Sequence, residues 1–173
     1  MCGIVAVINN DDKPVDKGIL KSMADTMHHR GPDAEGSYIF QNIGFYHKRL
    51  SIIDIVEGKQ PMTYSGYTIT FNGEIYNYLE LRQELKAKGH IFSTRSDTEV
   101  ILHMYEEYGM DAIPKLNGMF AFIIHDKLQR KIVMARDHFG IKPLYYFSNQ
   151  RVILFASEIK ALLKHPSIKA TPD

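Results

Sequence analysis

Met1-Cys2-Gly3-Ile4-Val5-Ala6-Val7-Ile8 is the stretch on which the rest of the chain turns. Cys2 is the only cysteine and directly follows a methionine. Removal of Met1, favoured by the small side chain after it, would place a thiol and a free α-amine on one residue. A thiol of pKa about 8.5 and an α-amine of about 8 are closely matched, so the amine can take the thiol proton near neutral pH. Gly3 leaves the sulfur uncrowded. Ile4 to Ile8 is an unbroken apolar run of the kind that forms a fully buried strand, which would hold such a terminus rigidly. Position alone leaves the opposite reading at even weight, because a lone cysteine is usually a small buried hydrophobe.

The 173 residues suit one domain with a sizeable core, and the 45% hydrophobic and 24% charged content is that of an ordinary globular chain. The net charge is +1 and the lysines and arginines are scattered, which argues against nucleic acid and against an anionic membrane as partners. No apolar run reaches the roughly 18 residues of a membrane-spanning helix. Asn9-Asn10-Asp11-Asp12 breaks the first apolar segment too early for a signal peptide, and no basic region precedes it. One cysteine makes no internal disulfide, so a reducing, cytoplasmic location is expected. His28-His29 has no second ligand at a recognised spacing, and no metal is expected.

Further along, Ile19, Leu20, Met23 and Met27 recur at helical spacing from Lys17, and Gly31-Pro32 ends that helix near His28 to Arg30. Strands follow over 36–41 and 43–48. Arg49-Leu50-Ser51-Ile52-Ile53-Asp54 reads as a further strand with Arg49 at its start. A loop containing Pro61 should delay the next strand to Tyr67. Tyr67 to Phe71 is rich in β-branched and aromatic residues and runs into Asn72-Gly73-Glu74. Asn-Gly is first of all a hairpin signal. At a strand end, however, an Asn side chain and a Gly N–H can both donate to one developing oxyanion. Asn77 with Glu80, and Ser96 with Glu99, read as capping boxes for two helices. Asp97 is either a first-turn carboxylate favoured by the helix dipole or an acceptor for a substrate ammonium. Strands at 119–124, 132–135, 143–146 and 152–156 complete the pattern, with Ser157-Glu158 capping a last helix over 159–163. Strands that neighbour each other in sequence imply antiparallel sheets with segregated helices.

The order of Met1-Cys2-Gly3-Ile4, His29-Arg30-Gly31-Pro32-Asp33, Arg49-Leu50-Ser51-Ile52, Asn72-Gly73-Glu74-Ile75-Tyr76-Asn77, Ser96-Asp97-Thr98-Glu99, Gly118-Met119-Phe120-Ala121-Phe122 and Arg136-Asp137 with Pro143-Leu144-Tyr145-Tyr146 resembles the glutaminase domain of glutamine-hydrolysing asparagine synthetases. These are class II glutamine amidotransferases with the N-terminal-nucleophile fold. The resemblance runs from Cys2 to the final helix. It implies an α+β, four-layer αββα architecture with two mostly antiparallel sheets. It also implies that Cys2 attacks the side-chain amide of glutamine, that Asn72 and Gly73 form the oxyanion hole, and that Arg49 holds the glutamine α-carboxylate, for which a guanidinium fork is suited. The backbone of Leu50, Ser51, Ile52 and Ile53 would line the same pocket, and Glu74 and Asp97 would accept the α-ammonium. Arg30, Asp33 and Arg136-Asp137 are left as structural or supporting residues.

On this resemblance no cofactor acts in this chain. ATP and Mg are expected only in a C-terminal synthetase domain, whose Ser-Gly-Gly phosphate loop is not found here. Residues 2–165 would be the amidotransferase domain and 166–173 the start of a linker, so that the chain reads as a fragment rather than a free-standing glutaminase. The expected partners are glutamine and the synthetase domain that receives ammonia, with a homodimer left open. Two alternatives stand beside this one: the glutaminase half of an amidotransferase with another carboxylate acceptor, and a glutamine-binding domain with a silent thiol.

Overall fold

The computed structural model describes residues 1–169. In chain order its elements are β1 (Gly3–Asn9), α1 (Lys17–Asp25), a 3-10 turn (His28–Arg30), β2 (Ala34–Phe40), β3 (Ile43–Arg49), β4 (Met62–Tyr64), β5 (Tyr67–Ile75), α2 (Tyr78–Ala87), α3 (Asp97–Tyr108), a second 3-10 segment (Gly109–Lys115), β6 (Gly118–Asp126), β7 (Lys131–Arg136), β8 (Tyr145–Ser148), β9 (Val152–Ala156) and α4 (Ile159–Leu162). They divide between two compact units, Met1–Leu50 with Pro143–Asp173, and Ser51–Lys142. Every strand pairing is antiparallel, and the fold is α+β.

In the first unit the sheet order is β2-β3-β1-β9-β8, which puts the apolar run after Cys2 at the centre. The pleat sends successive side chains to opposite faces. Val5 and Val7 therefore pack with Leu154 and Val152 against Leu20, Met23 and Ala24 of α1 and Ala161 and Leu162 of α4. Ile4 and Ala6 are buried on the other face, as are their cross-strand neighbours His47 and Phe45. A strand buried on both faces must be apolar throughout, which is how Ile4 to Ile8 reads. The helix α1 starts where Asp16 accepts the Ile19 N–H at 2.9 Å.

In the second unit the order is β4-β5-β6-β7. Tyr67, Ile69 and Phe71 of β5, with Phe120, Phe122 and Ile124 of β6, pack against Leu81 and Leu85 of α2 and Ile101, Met104 and Tyr105 of α3. The alternate β5 residues Thr68, Thr70 and Asn72 are also buried, on the face turned away from these helices.

Several local expectations fail for identifiable reasons. Arg49 ends β3 instead of opening a strand, and 50–61 is a loop with Asp54 at φ 48°. The β1 register stops at Gly3 opposite Lys48, so residues beyond Arg49 have no neighbouring strand on that side. Strand structure resumes at Met62 rather than Tyr67, because Ser65 (φ 48°) and Gly66 (φ 90°) turn β4 back on β5 as a hairpin. Asn77 stands at the start of α2 but does not cap it: its side chain donates to Lys115 O at 3.0 Å and accepts from Asn117 N at 3.0 Å. Ser96 does cap α3, accepting from Glu99 N at 3.2 Å, yet Glu99 reaches past it to the N–H groups of Ser93 and Thr94 at 2.7 Å. Ser157 accepts from Ile4 N at 3.1 Å and is lost to α4 as a cap. Of the linker expected over 166–173, residues 170–173 lie outside the described residues.

Candidate active site

In the first unit the site begins at the N-terminal end of β1. Gly3 suits that position because a Cβ would come within 3.1 Å of the Met27 Cβ, a tight contact. Cys2 lies one step beyond the Gly3–Lys48 pair, which places it beside Arg49 on the face that carries Ile4 and His47. The Leu50 N–H donates to Cys2 Sγ at 3.4 Å, and the thiol lies 3.7 Å from Leu50 O. Arg30 Nε donates to the Cys2 carbonyl at 2.9 Å, and its Nη1 pairs with Glu158 at 3.0 Å. Glu158 also takes His29 and Lys160, both at 2.9 Å. Against its partial burial, Lys160, Arg30 and His29 hold the Glu158 carboxyl down at about 2. The backbone of Cys2 is thus anchored by Arg30, which the Glu158 carboxylate holds in place.

Burial pushes the Cys2 thiol up, and the Leu50 N–H, the amino-terminal charge, Arg49 and Arg30 oppose this only in part. The sulfur is therefore mostly protonated at neutral pH and needs a base. His47 is not that base: burial, reinforced by Arg49, lowers it to about 3, and it is the neutral core histidine of β3.

In the second unit the oxyanion-hole pair expected at Asn72 and Gly73 lies inside β5, not in a turn. Asn72 stands opposite Ala121 and Gly73 opposite Phe120. The hairpin meaning of Asn-Gly is overruled by this pairing. Glycine is required because a Cβ on residue 73 would lie 2.2 Å from the Met119 carbonyl oxygen. Asn72 is 1% exposed, and among the described residues its Nδ2 has no hydrogen-bond partner. A buried amide left without an acceptor costs about 1–3 kcal/mol, so an unused donor at this position calls for a purpose.

Glu74 projects on the same face as Asn72, two residues on. Asp97, in the first turn of α3, accepts the Ile75 N–H at 3.1 Å. Burial raises the Asp97 carboxyl to about 6 against the pull of the backbone N–H groups, and the charge of Glu74 adds to the rise. A buried carboxyl with a second one beside it makes a place where a cation is welcome. Gln60 braces this end of the unit, accepting from Phe71 N at 2.7 Å and donating to Thr98 Oγ1 at 3.3 Å.

The predicted residues therefore fall into two groups. Cys2, Arg49 and Leu50 are brought together in the first unit, and Asn72, Gly73, Glu74 and Asp97 in the second. Ser51, Ile52 and Ile53 lie in the loop after β3, where Ile52 is 67% exposed, so only its backbone suits a lining role. The sequence reading undervalued Arg30, whose hold on the Cys2 carbonyl joins residues 28 positions apart. It missed Gln60, which carries no local signal, and read Glu158 only as part of a helix cap.

A family model for a glutamine amidotransferase domain matches residues 1–173. Two Bacillus subtilis proteins named asparagine synthetase [glutamine-hydrolyzing] are similar to the chain: number 3 is 46% identical over 100% of the chain, and number 1 is 48% identical over 94%. The chain spans 29% and 27% of those two relatives. Among solved structures, the glutamine phosphoribosylpyrophosphate amidotransferase of B. subtilis superposes with a TM-score of 0.76 over 93% of the chain and 43% of its own, at 21% identity. That likeness establishes the fold, which is the N-terminal-nucleophile type implied by the resemblance. No described helix is long and apolar enough to cross a membrane. With the family model matched from end to end, and relatives sharing almost half its residues, the chain belongs to the glutamine amidotransferase domain family.

Proposed function

We propose that this chain hydrolyses glutamine to glutamate and ammonia through Cys2, and that it supplies the ammonia half of an asparagine-forming, ATP-dependent synthetase. The observation that carries the first part is the buried, unpartnered amide of Asn72 beside a glycine whose backbone cannot tolerate a side chain. A tetrahedral oxyanion is the acceptor this amide lacks. The second part rests on the names of the relatives, each much longer than the chain.

Loss of Met1 frees the α-amine of Cys2. That amine takes the thiol proton, and the thiolate attacks the side-chain carbonyl carbon of glutamine. Asn72 Nδ2 and the Gly73 N–H donate to the oxyanion, a donor of this kind being worth roughly 3 kcal/mol of barrier. The C–N bond then breaks, and the α-ammonium returns its proton to the leaving ammonia. Water adds to the thioester with the amine as base, and glutamate leaves as the thiol re-forms. Arg49 holds the substrate α-carboxylate with the backbone of Leu50 to Ile53, and Glu74 and Asp97 hold its α-ammonium. ATP and magnesium belong to the synthetase reaction, in which the acceptor carboxylate is aspartate. A cytoplasmic setting suits a protein whose single cysteine must stay reduced.

Intact mass before and after incubation with 6-diazo-5-oxo-norleucine tests this reading. The expected result is a mass lacking Met1 that gains one adduct, with none in Cys2→Ala. Retained glutamine turnover in Cys2→Ala overturns it.

A further inference from the structure

Outside these groups, one cluster of metal-ligating side chains stands out among the described residues: His90, just after α2, with His103 and Glu106 on one face of α3. His90 Nδ1 and His103 Nδ1 are 2.9 Å apart, and Glu106 Oε2 lies 3.5 Å from the first and 3.8 Å from the second. Ligand atoms of a tetrahedral zinc site with Zn–N near 2.0–2.1 Å are separated by roughly 3.3 Å, so this triangle needs only small adjustments.

The far sides of the rings decide how the protons are placed. His90 Nε2 lies 3.1 Å from Glu107 Oε2, and His103 Nε2 faces Glu99 Oε1 at 3.8 Å with no hydrogen bond of its own. The Glu107 carboxylate on His90 Nε2, and the more distant Glu99 carboxylate facing His103 Nε2, favour protons on those nitrogens, an arrangement that turns both Nδ1 lone pairs toward each other and the Glu106 carboxylate. Three electron pairs at that separation repel unless a cation sits between them. A carboxylate behind each ligating imidazole is also the usual outer support of a metal site. His103 is fully buried and clamped between the rings of Tyr64 (centroids 4.1 Å) and Phe92 (4.3 Å), so its orientation is set before any ion arrives.

We propose that His90 Nδ1, His103 Nδ1 and Glu106 Oε2 bind one divalent transition-metal ion, zinc being the closest match. His90 also lines a cleft with Tyr64, Lys88, Gly89 and Ile91. Two imidazoles and one carboxylate suit zinc, cobalt or nickel rather than magnesium or calcium. The ion would pin the 88–96 connection to α3, the helix whose first turn carries Asp97. The sequence offered a metal only at His28 and His29 and discarded it; the ligands here come from two elements and have no motif spacing.

The test is titration with Co2+ and Zn2+ of the chain carrying Cys2→Ala, which removes the thiol as a competing ligand. The expected result is one Co2+ per chain with the intense visible bands of four-coordinate cobalt, displaced by Zn2+, and a melting temperature raised by Zn2+ and restored by chelator. Glu106→Gln and His90→Ala abolish the bands, and Glu99→Gln weakens affinity about 10–100-fold. Absence of the bands, or bands that persist in Glu106→Gln, overturns the proposal and leaves a proton shared by the two histidines. Should His90→Ala unfold, Glu106→Gln decides, since it keeps shape and partly exposed position.

Discussion

The carboxylate of Asp97 accepts the main-chain N–H of Ile75 at 3.1 Å, tying the first turn of α3 to the last residue of β5. That bond makes Asp97 more than a helix cap, because it fixes a buried carboxyl next to Glu74. Asp97→Asn keeps an oxygen for Ile75 and removes the charge. If Asp97 receives the glutamine ammonium, the change raises KM about 10–100-fold, the worth of one charge-assisted bond, with kcat affected less. An unchanged KM would leave Asp97 a purely structural acceptor.

The same residue predicts a pH dependence of opposite sign for stability and for binding. Its carboxyl is raised from 3.8 to about 6 in the folded chain. A group that holds its proton more tightly when folded stabilises the fold fully below its ordinary value and loses that contribution as pH rises through the folded value. Urea midpoints should therefore carry a component that falls between pH 4 and pH 6 and disappears in Asp97→Asn. Glutamine binding should weaken as pH drops below about 6, because the ammonium needs the ionised form.

Asn72→Ala separates catalysis from folding. Removing one oxyanion donor costs roughly 100–1000-fold in kcat. The mutation also deletes a buried donor that has no partner in the described residues, so the fold should lose little. Steady-state kinetics beside thermal melting check both halves. A large fall in melting temperature with intact kcat would reverse the assignment.

One extra alanine between Met1 and Cys2 tests the base. The thiol stays, but the free α-amine then belongs to the alanine. Burial raises the Cys2 thiol, so without its own amine little thiolate forms at neutral pH. Turnover should drop by about 100–10,000-fold, the usual worth of a positioned base. Full activity in that variant would assign the proton to another group.

How far the sequence could be read depended on whether a residue's partner was local. Ile4 to Ile8 is legible because burial on both faces demands an apolar run whatever the neighbours are. Leu50 to Asp54 carry strand-like alternation on from Arg49 and still form a loop, because strand structure needs a neighbour and the β1 register ends at Gly3. Asn77 and Ser157 look like caps, yet their side chains answer Asn117 and Ile4, which are distant in sequence. Asn72-Gly73 is ambiguous as a dipeptide, and the β6 backbone 2.2 Å from a would-be Cβ resolves it. The motifs offered Cys2, Arg49, Asn72, Gly73, Glu74 and Asp97 as candidates by their shared order. Gln60, Glu158 and the His90–His103–Glu106 cluster act through pairings that no spacing announces.

Asp137, which the sequence could only call structural, is expected to be among the most sensitive positions of the second unit. It is 5% exposed and accepts from four main-chain N–H groups: Phe139 (3.1 Å) and Ile141 (2.9 Å) on Oδ1, Phe120 (3.1 Å) and Lys142 (3.0 Å) on Oδ2. Arg136 closes the same loop from outside, its Nε on Lys142 O at 3.0 Å and its Nη2 on Gly140 O at 2.6 Å. Burial alone would raise the Asp137 carboxyl, and the N–H groups of Lys142, Ile141, Phe120 and Phe139 overcome it, so the net shift is downward. A depressed carboxyl contributes its stability above its ordinary value and loses it as pH falls through the lowered one. Asp137→Ala strands four donors, and Asp137→Asn turns an N–H2 toward two of them. Each orphaned donor costs about 1–3 kcal/mol, so the alanine variant should lose at least 3 kcal/mol or so in urea unfolding at pH 7, with a smaller loss in the asparagine variant. The gap between wild type and Asp137→Asn should narrow at the acid end, where the wild-type carboxyl takes up a proton. A gap that is constant with pH would mean that shape, not charge, holds the 136–142 loop against β6.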